Sequence, residues 1–338
     1  MSNFPLSYRL SWLPRLLKPS LAGRDAAFGP IAARFLHPAH VIRLAFLGDI
    51  SRVAGREPPQ VDAGLAETIA AADLVVGNCE SPVMERPAYP VATRLGLRHA
   101  MTPAFLDAAI AACGAKPQQL LLSLANNHAL DQGEKGFAET EAALRERGIG
   151  TVGTVGGGTL RRVDVGGIAI DFLAFTQWRN ASPASFAGRI AMTQDIAGWT
   201  RREGADLTCV LPHWDVEFRH FPHAATRRLA RHLAQADAGL IVGAHAHVLQ
   251  PVERVGAAVV AYGLADFLGT VSPCAPWPLR LGAILSVEVS ADAGTKGQVA
   301  AYRVVPFIRH RCRQRERLVP VGPGDTRVVE RLGVLFQG

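Results

Sequence analysis

A chain of 338 residues with 49% hydrophobic and 19% charged side chains has the makeup of a globular protein and excludes a disordered one. No uninterrupted apolar run approaches the ~20 residues that span a bilayer, and five scattered cysteines set out neither a disulfide framework nor paired zinc spacing. The formal charge of +7 is concentrated in a run from Arg309-His310-Arg311 to Arg317, with Arg227, Arg228 and Arg231 elsewhere. Without interleaved aromatics such a run predicts a solvated face that attracts anionic substrates, and no nucleic-acid partner.

Residues 1–40 are expected to be an N-terminal surface extension. Pro5, Pro14 and Pro19 interrupt the apolar stretch that a secretory leader needs. Leu10, Trp12, Leu16 and Leu17 offer a weak peripheral membrane contact at most. With no anchor in the sequence and its thiols unpaired, the chain is expected to be cytoplasmic.

From residue 41 short apolar runs alternate with helical segments. The runs cover residues 42–47, 74–76, 120–124, 168–175, 207–211 and 240–242; the helices lie at 63–72, 103–113, 134–147 and 223–236. That rhythm predicts an α/β architecture with a largely parallel central sheet. Residues 257–262, 282–289 and 299–305 lack helices between them and predict an antiparallel second sheet within the same domain, which spans 41–310. The glycine-rich stretch 153–158 precedes a strand and predicts a turn. Residues 311–338 are expected to be a basic C-terminal tail. Its ending, Gly333-Val334-Leu335-Phe336-Gln337-Gly338, resembles a viral 3C protease recognition sequence and is left out of the functional reading.

The polar clusters all follow predicted strands. Gly48-Asp49, Gly77-Asn78-Cys79-Glu80, Asn126-Asn127-His128, His213-Trp214 and Gly243-Ala244-His245-Ala246-His247 each stand at a C-terminal strand end. In open α/β sheets that edge is where loops converge on a ligand. Singly, Asp49 suits a turn or a helix cap, Asn126 and Asn127 a turn, and His213 a hydrogen-bonded interior imidazole. Five such coincidences at one edge favour a shared site.

The residue types suit a metal that activates water. Asp49 and Glu80 supply charge, Asn127 a carbonyl oxygen, and His213, His245 and His247 nitrogen donors. Six candidates exceed what one catalytic zinc takes from a protein, so two divalent ions sharing a carboxylate fit better, with manganese, iron or zinc all suited to the mixed donors. If Asn127 faces the metals, its neighbour His128 faces the substrate, and an imidazole near its ordinary pKa of about 6.5 can protonate a leaving group. Asp131 is its candidate orienting partner. Arg98, Asn78 and Glu217 are the candidates for holding substrate.

In this order the clusters resemble the CapA proteins linked to poly-γ-glutamate, relatives of the calcineurin-like phosphoesterases. Flanking words agree: Ser123-Leu124-Ala125, Leu130-Asp131-Gln132-Gly133, Val248-Leu249-Gln250-Pro251 and Tyr262-Gly263-Leu264-Ala265-Asp266-Phe267. The likeness covers residues 41 to about 308. It implies a four-layer α-β-β-α sandwich of the metallophosphatase type, with Asp49, Asn127, His213, His245 and His247 as ligands. Glu80 is the expected bridging carboxylate, with Asn78 as the alternative holder of that position. The chain departs from the pattern at Ser51, where phosphoesterases commonly have histidine, and at Asp215, Ala244 and Asp266. The expected function is a metal-dependent hydrolase of phosphoester or amide-type bonds, acting on a small molecule or an anionic polymer. A noncatalytic binding or assembly factor for such a polymer is the alternative.

Overall fold

Apolar runs buried on both faces need neighbours on either side, and here they become parallel strands. The computed structural model describes residues 2–24, 26–52, 57–94, 97–156, 158–269, 275–312 and 315–337. The chain opens with α1 (Leu6–Leu17) and β1 (Ala32–Arg34), followed by β2 (Val41–Ile50), β3 (Gln60–Val61), α2 (Ala63–Ala70) and β4 (Leu74–Cys79). Next come α3 (Pro90–Arg94), α4 (Pro103–Ala112), β5 (Leu120–Ser123), α5 (Gly133–Glu146), β6 (Gly150–Val152), β7 (Leu160–Val165) and β8 (Ile168–Thr176). They lead into α6 (Pro183–Phe186), β9 (Leu207–His213), α7 (Ala224–Gln235), β10 (Leu240–Val242), β11 (Val252–Val255) and β12 (Ala258–Ala261). The chain closes with β13 (Asp266–Leu268), β14 (Leu281–Ser290), β15 (Val299–Cys312), β16 (Arg315–Pro320) and α8 (Thr326–Leu335).

The strands form two sheets. One runs β3-β16-β15-β14-β2-β4-β5-β6, with β1 added on β15 and β13 on β2; the other runs β11-β12-β10-β9-β8-β7. Because β2, β4, β5 and β6 are parallel and step in one direction, right-handed crossovers place α2, α4 and α5 on one outer face. The second sheet has its own parallel set, β8, β9, β10 and β12, with α7 crossing over between β9 and β10. The inner faces meet where Phe46, Val76 and Ser123 stand opposite Leu211, Pro212 and Val242. The result is the four-layer α-β-β-α sandwich.

Of the antiparallel second sheet expected after residue 256, residues 282–289 and 299–305 do pair antiparallel, as β14 and β15, but within the first sheet, where β14 also pairs antiparallel with β2, Leu285 opposite Phe46. Residues 257–262 go elsewhere, as β12 pairs in parallel with β10 in the other sheet. The N-terminal segment is integral as well: β1 pairs with β15, and α1 packs Trp12 and Leu16 against a buried cluster of Phe218, Ala246, Val248, Ala275 and Leu279. Of the four residues offered to a membrane, Trp12 and Leu16 therefore face inward, while Leu10 and Leu17 stay exposed. No described helix is long and apolar enough to cross a membrane.

The basic run is likewise not a uniform solvated face, since Arg309 is buried at 1% exposure. Residues read as a tail continue β15, build β16 beside it, and end in α8, which buries Val328 and Leu335. Leu335 and Phe336 of the protease-like ending are both buried.

Gly48 shows how closely the strands approach at the site. A β-carbon there would lie 1.8 Å from the Ala265 carbonyl oxygen, next to the register in which Asp49 pairs with Asp266. Gly48→Ala must therefore displace backbone. We expect it to lower the urea midpoint by the equivalent of about 1–3 kcal/mol or more, measurable by equilibrium unfolding.

Candidate metal centre

Strands β2, β4 and β5 of one sheet and β9 and β10 of the other end on the same side, and their last residues converge. Asp49 and Glu80 are fully buried, as are His245 and nearly so His213, Asn127 and His247. The six expected ligands are brought together.

Hydrogen bonds fix one end of most of these groups. Asp49 Oδ1 accepts from the Asn78 amide at 2.7 Å, and Oδ2 accepts from the His245 backbone N–H at 3.1 Å. His213 Nε2 lies 2.7 Å from Asn127 Oδ1, and its Nδ1 lies 3.2 Å from Asn78 Nδ2. His247 Nδ1 lies 2.6 Å from Asp266 Oδ1, and the Arg309 guanidinium stands 3.1 Å from the other Asp266 oxygen. Glu80 Oε1 is 3.7 Å from both His213 Nε2 and His247 Nε2, between the two imidazoles.

Glu80 is the anomaly. Among the described residues, neither of its carboxylate oxygens has a hydrogen-bond partner, nor has His245 Nδ1. A buried carboxylate left bare is costly unless a cation faces it. Among the described residues, three sets of donor atoms are close enough to hold an ion: Glu80, His213 and His245; Asp49, Glu80 and His247; and Glu217, His245 and His247. Glu80 belongs to two of them, as a shared carboxylate would.

The electrostatics agree. Burial, reinforced by Asp49, pushes the Glu80 carboxyl well above the usual range, and burial raises Asp49 to about 6. Burial lowers His213 and His245 well below an ordinary imidazole, which keeps them neutral as metal donors must be. Burial works against a charged His247, but the Glu80 and Asp266 carboxylates outweigh it and hold a proton that an ion bound by this ring would have to displace. His245 also carries backbone strain, with φ at 92°, and His247 sits at 53°. Such angles in non-glycine residues cluster at functional sites.

On the open side, a cavity of 350 Å³ is lined by Tyr8, Trp12, His128, Asn180, Glu217 and His247, among others. His128 Nδ1 lies 2.6 Å from Asp131 Oδ2, and its ring stacks on His99 with centroids 3.6 Å apart. Burial disfavours a charged Asp131, yet the His128 imidazole and the His99 N–H hold it below the usual range.

The three residues offered to substrate fare differently. Asn78 is enclosed among Asp49, His213 and Asn126, so it braces the ligands and does not face the cavity. Arg98 donates to the Asp131 carbonyl at 2.6 Å and covers the Tyr89 ring, which commits it to the loop. Glu217 lines the cavity but accepts the Trp12 indole N–H.

Several participants escaped the sequence reading. Asp266 was visible only as a departure from asparagine, and its partner Arg309 was hidden in an apparently solvated run. Nothing marked His99, Asn180 or Tyr8, whose hydroxyl lies 3.0 Å from His245 Nε2.

Two facing mixed sheets with buried carboxylates and imidazoles at their shared C-terminal edge make an α/β sandwich that fits the metallophosphatase fold. The chain belongs to the family described as "Bacterial capsule synthesis protein PGA_cap", which matches residues 44–270. It is 28% identical over 222 residues to the PGA biosynthesis protein CapA of Bacillus subtilis, a stretch covering 59% of this chain and 53% of that protein. It is 29% identical over 217 residues to the capsule biosynthesis protein CapA of Bacillus anthracis, covering 58% and 50%. The chain thus spans about half the length of the curated relatives it matches. Among solved structures, a phosphatase from Mycoplasma pneumoniae overlays at a TM-score of 0.48 with 13% identity, covering 80% of this chain and 94% of that one. A putative 5'-nucleotidase from Staphylococcus aureus overlays at 0.45 with 14% identity, covering 86% and 58%.

Proposed function

We propose that this chain is a divalent-metal-dependent hydrolase of phosphoester or amide-type bonds. The observation that carries the reading is Glu80, a fully buried carboxylate without a hydrogen-bond partner among the described residues, standing between two imidazoles. Asp49, Glu80, Asn127, His213, His245 and His247 would hold two ions of manganese, iron or zinc, with Glu80 between them. A metal bound there supplies a water acidic enough to attack near neutral pH and polarises the scissile group. With Nδ1 engaged by Asp131, His128 has Nε2 left to carry a proton to the leaving group. Asp131 orients that imidazole. Glu217 is the acidic group on the cavity wall, positioned to sort substrates by charge. The names of the Bacillus relatives support an anionic polymer such as poly-γ-glutamate as the associated substrate.

A noncatalytic polymer-binding or assembly factor is the second reading, favoured by the way α1 lies across the centre. Elemental analysis of the purified protein beside Asp49→Ala/His245→Ala separates the two. We expect roughly one to two equivalents of metal, lost in the double variant. No metal, and none taken up on reconstitution, moves the polymer-binding reading to first place.

A further inference from the structure

The helix α1 lies outside residues 44–270 that the family covers, yet it reaches into the centre. The other two candidate imidazoles are held from within the core, His247 through Nδ1 by Asp266 and His213 through Nδ1 by Asn78 and Nε2 by Asn127. For His245 the partner comes from α1: Tyr8 Oη is 3.0 Å from Nε2, and Nδ1 is left buried and bare.

Tyr8 is itself well held. The Glu217 backbone N–H donates to its hydroxyl at 3.2 Å, and its ring packs 5.1 Å from Trp178 and 4.8 Å from Phe4. Trp12, one turn on, donates to the Glu217 carboxylate. The Glu217 carboxylate also stands beside the phenol.

We propose that Tyr8 is a positioning residue of the metal centre: α1 supplies the outer hydrogen bond that fixes the ring of His245 and leaves Nδ1 for the ion. The inference rests on the proposed metal-dependent function. In this arrangement Nε2 carries the imidazole proton and donates it to the Tyr8 oxygen, which also accepts from the Glu217 N–H. The phenol proton points to the Glu217 carboxylate beside it. The line Glu217–Tyr8–His245 does what a carboxylate bonded directly to a ligating histidine does elsewhere, and outer partners of that kind are typically worth 10–100-fold in metal affinity. It follows that metal binding and docking of α1 stabilise each other.

The test is titration of the metal-free 338-residue protein with Mn²⁺ and Zn²⁺ against a competing chelator, for wild type and Tyr8→Phe. Phenylalanine keeps the ring packing against Phe4 and Trp178 and removes only the hydroxyl. We expect affinity to fall 10–100-fold in Tyr8→Phe with the apo melting temperature little changed. We also expect Co²⁺-loaded Tyr8→Phe to show a shifted visible spectrum, because the ligand ring is no longer fixed. Equal affinities and identical Co²⁺ spectra would overturn this inference while leaving the hydrolase reading standing. No metal uptake by either protein would overturn both.

Discussion

Glu80→Gln is expected to raise the melting temperature of the metal-free protein and to abolish the further rise that metal gives the wild type. In the apo state the wild-type carboxyl is fully buried with no hydrogen bond to either oxygen. At neutral pH it must take up a proton or bear a charge with no hydrogen bond, its cationic neighbour His247 standing 3.7 Å away. Burial and the nearby Asp49 set its folded-state pKa well above the usual range. The unfolded chain then holds fewer protons than the folded one, so this group's cost grows as pH rises from the unfolded value near 4.5 towards the folded one. A neutral amide of the same shape removes that dependence and about 1–3 kcal/mol of penalty. The same exchange deletes the anionic oxygen shared by two of the three donor sets. Wild type at 100-fold excess of metal over its Kd should gain about 2.7 kcal/mol, and the variant close to none. Calorimetry at pH 5 and 7.5, with metal and with chelator, reads all four states. A less stable apo variant that still gained stability from metal would contradict this account of the centre.

His128→Ala is expected to lower kcat about 10²–10⁴-fold on esters with poor leaving groups, and much less on p-nitrophenyl esters, which leave without help from an acid. The geometry behind this contrast is the 2.6 Å contact to Asp131 and the position of His128 on the cavity wall. His99 stacks on the ring from behind, and Asn180 lies 3.2 Å from the same Nδ1 that Asp131 engages. Asp131→Asn should give a smaller loss of the same kind, since the ring keeps its stacking partner but loses the carboxylate. Comparing kcat for alkyl and nitrophenyl phosphodiesters across the three proteins tests it. A uniform loss on both substrates would remove His128 from the acid role.

The ligand clusters were legible because parallel strands place their last residues on one edge whatever sheet they join. That is why Asp49, Asn127 and His213 could be grouped from sequence even though His213 lies in the other sheet. Which sheet a strand joins depends on partners far along the chain, and nothing in residues 282–289 announces Phe46 and Leu44 as neighbours. The N-terminal helix was obscured by its prolines. Pro5 is in fact its N-cap, and Pro14, inside α1, gives up a bond to the carbonyl of Leu10, an exposed residue where water can replace it. Arg309 was misread for a related reason. One arginine in a basic run turns inward to Asp266, and it also donates to the carbonyls of Gly269 and Leu279.

The pairing of β2 with β14 bears on how the protein is made. Asp49 sits on a strand whose antiparallel neighbour, β14, is synthesised long after it, and the bracing of His247 reaches through Asp266 to Arg309 on β15. Loop closure over most of the chain must come before these contacts can form, which makes them late and slow. A nascent chain stalled before residue 281 would expose the unpaired edge of β2, a surface prone to aggregation. Closure of the candidate centre is thereby deferred until β14 and β15 have been made.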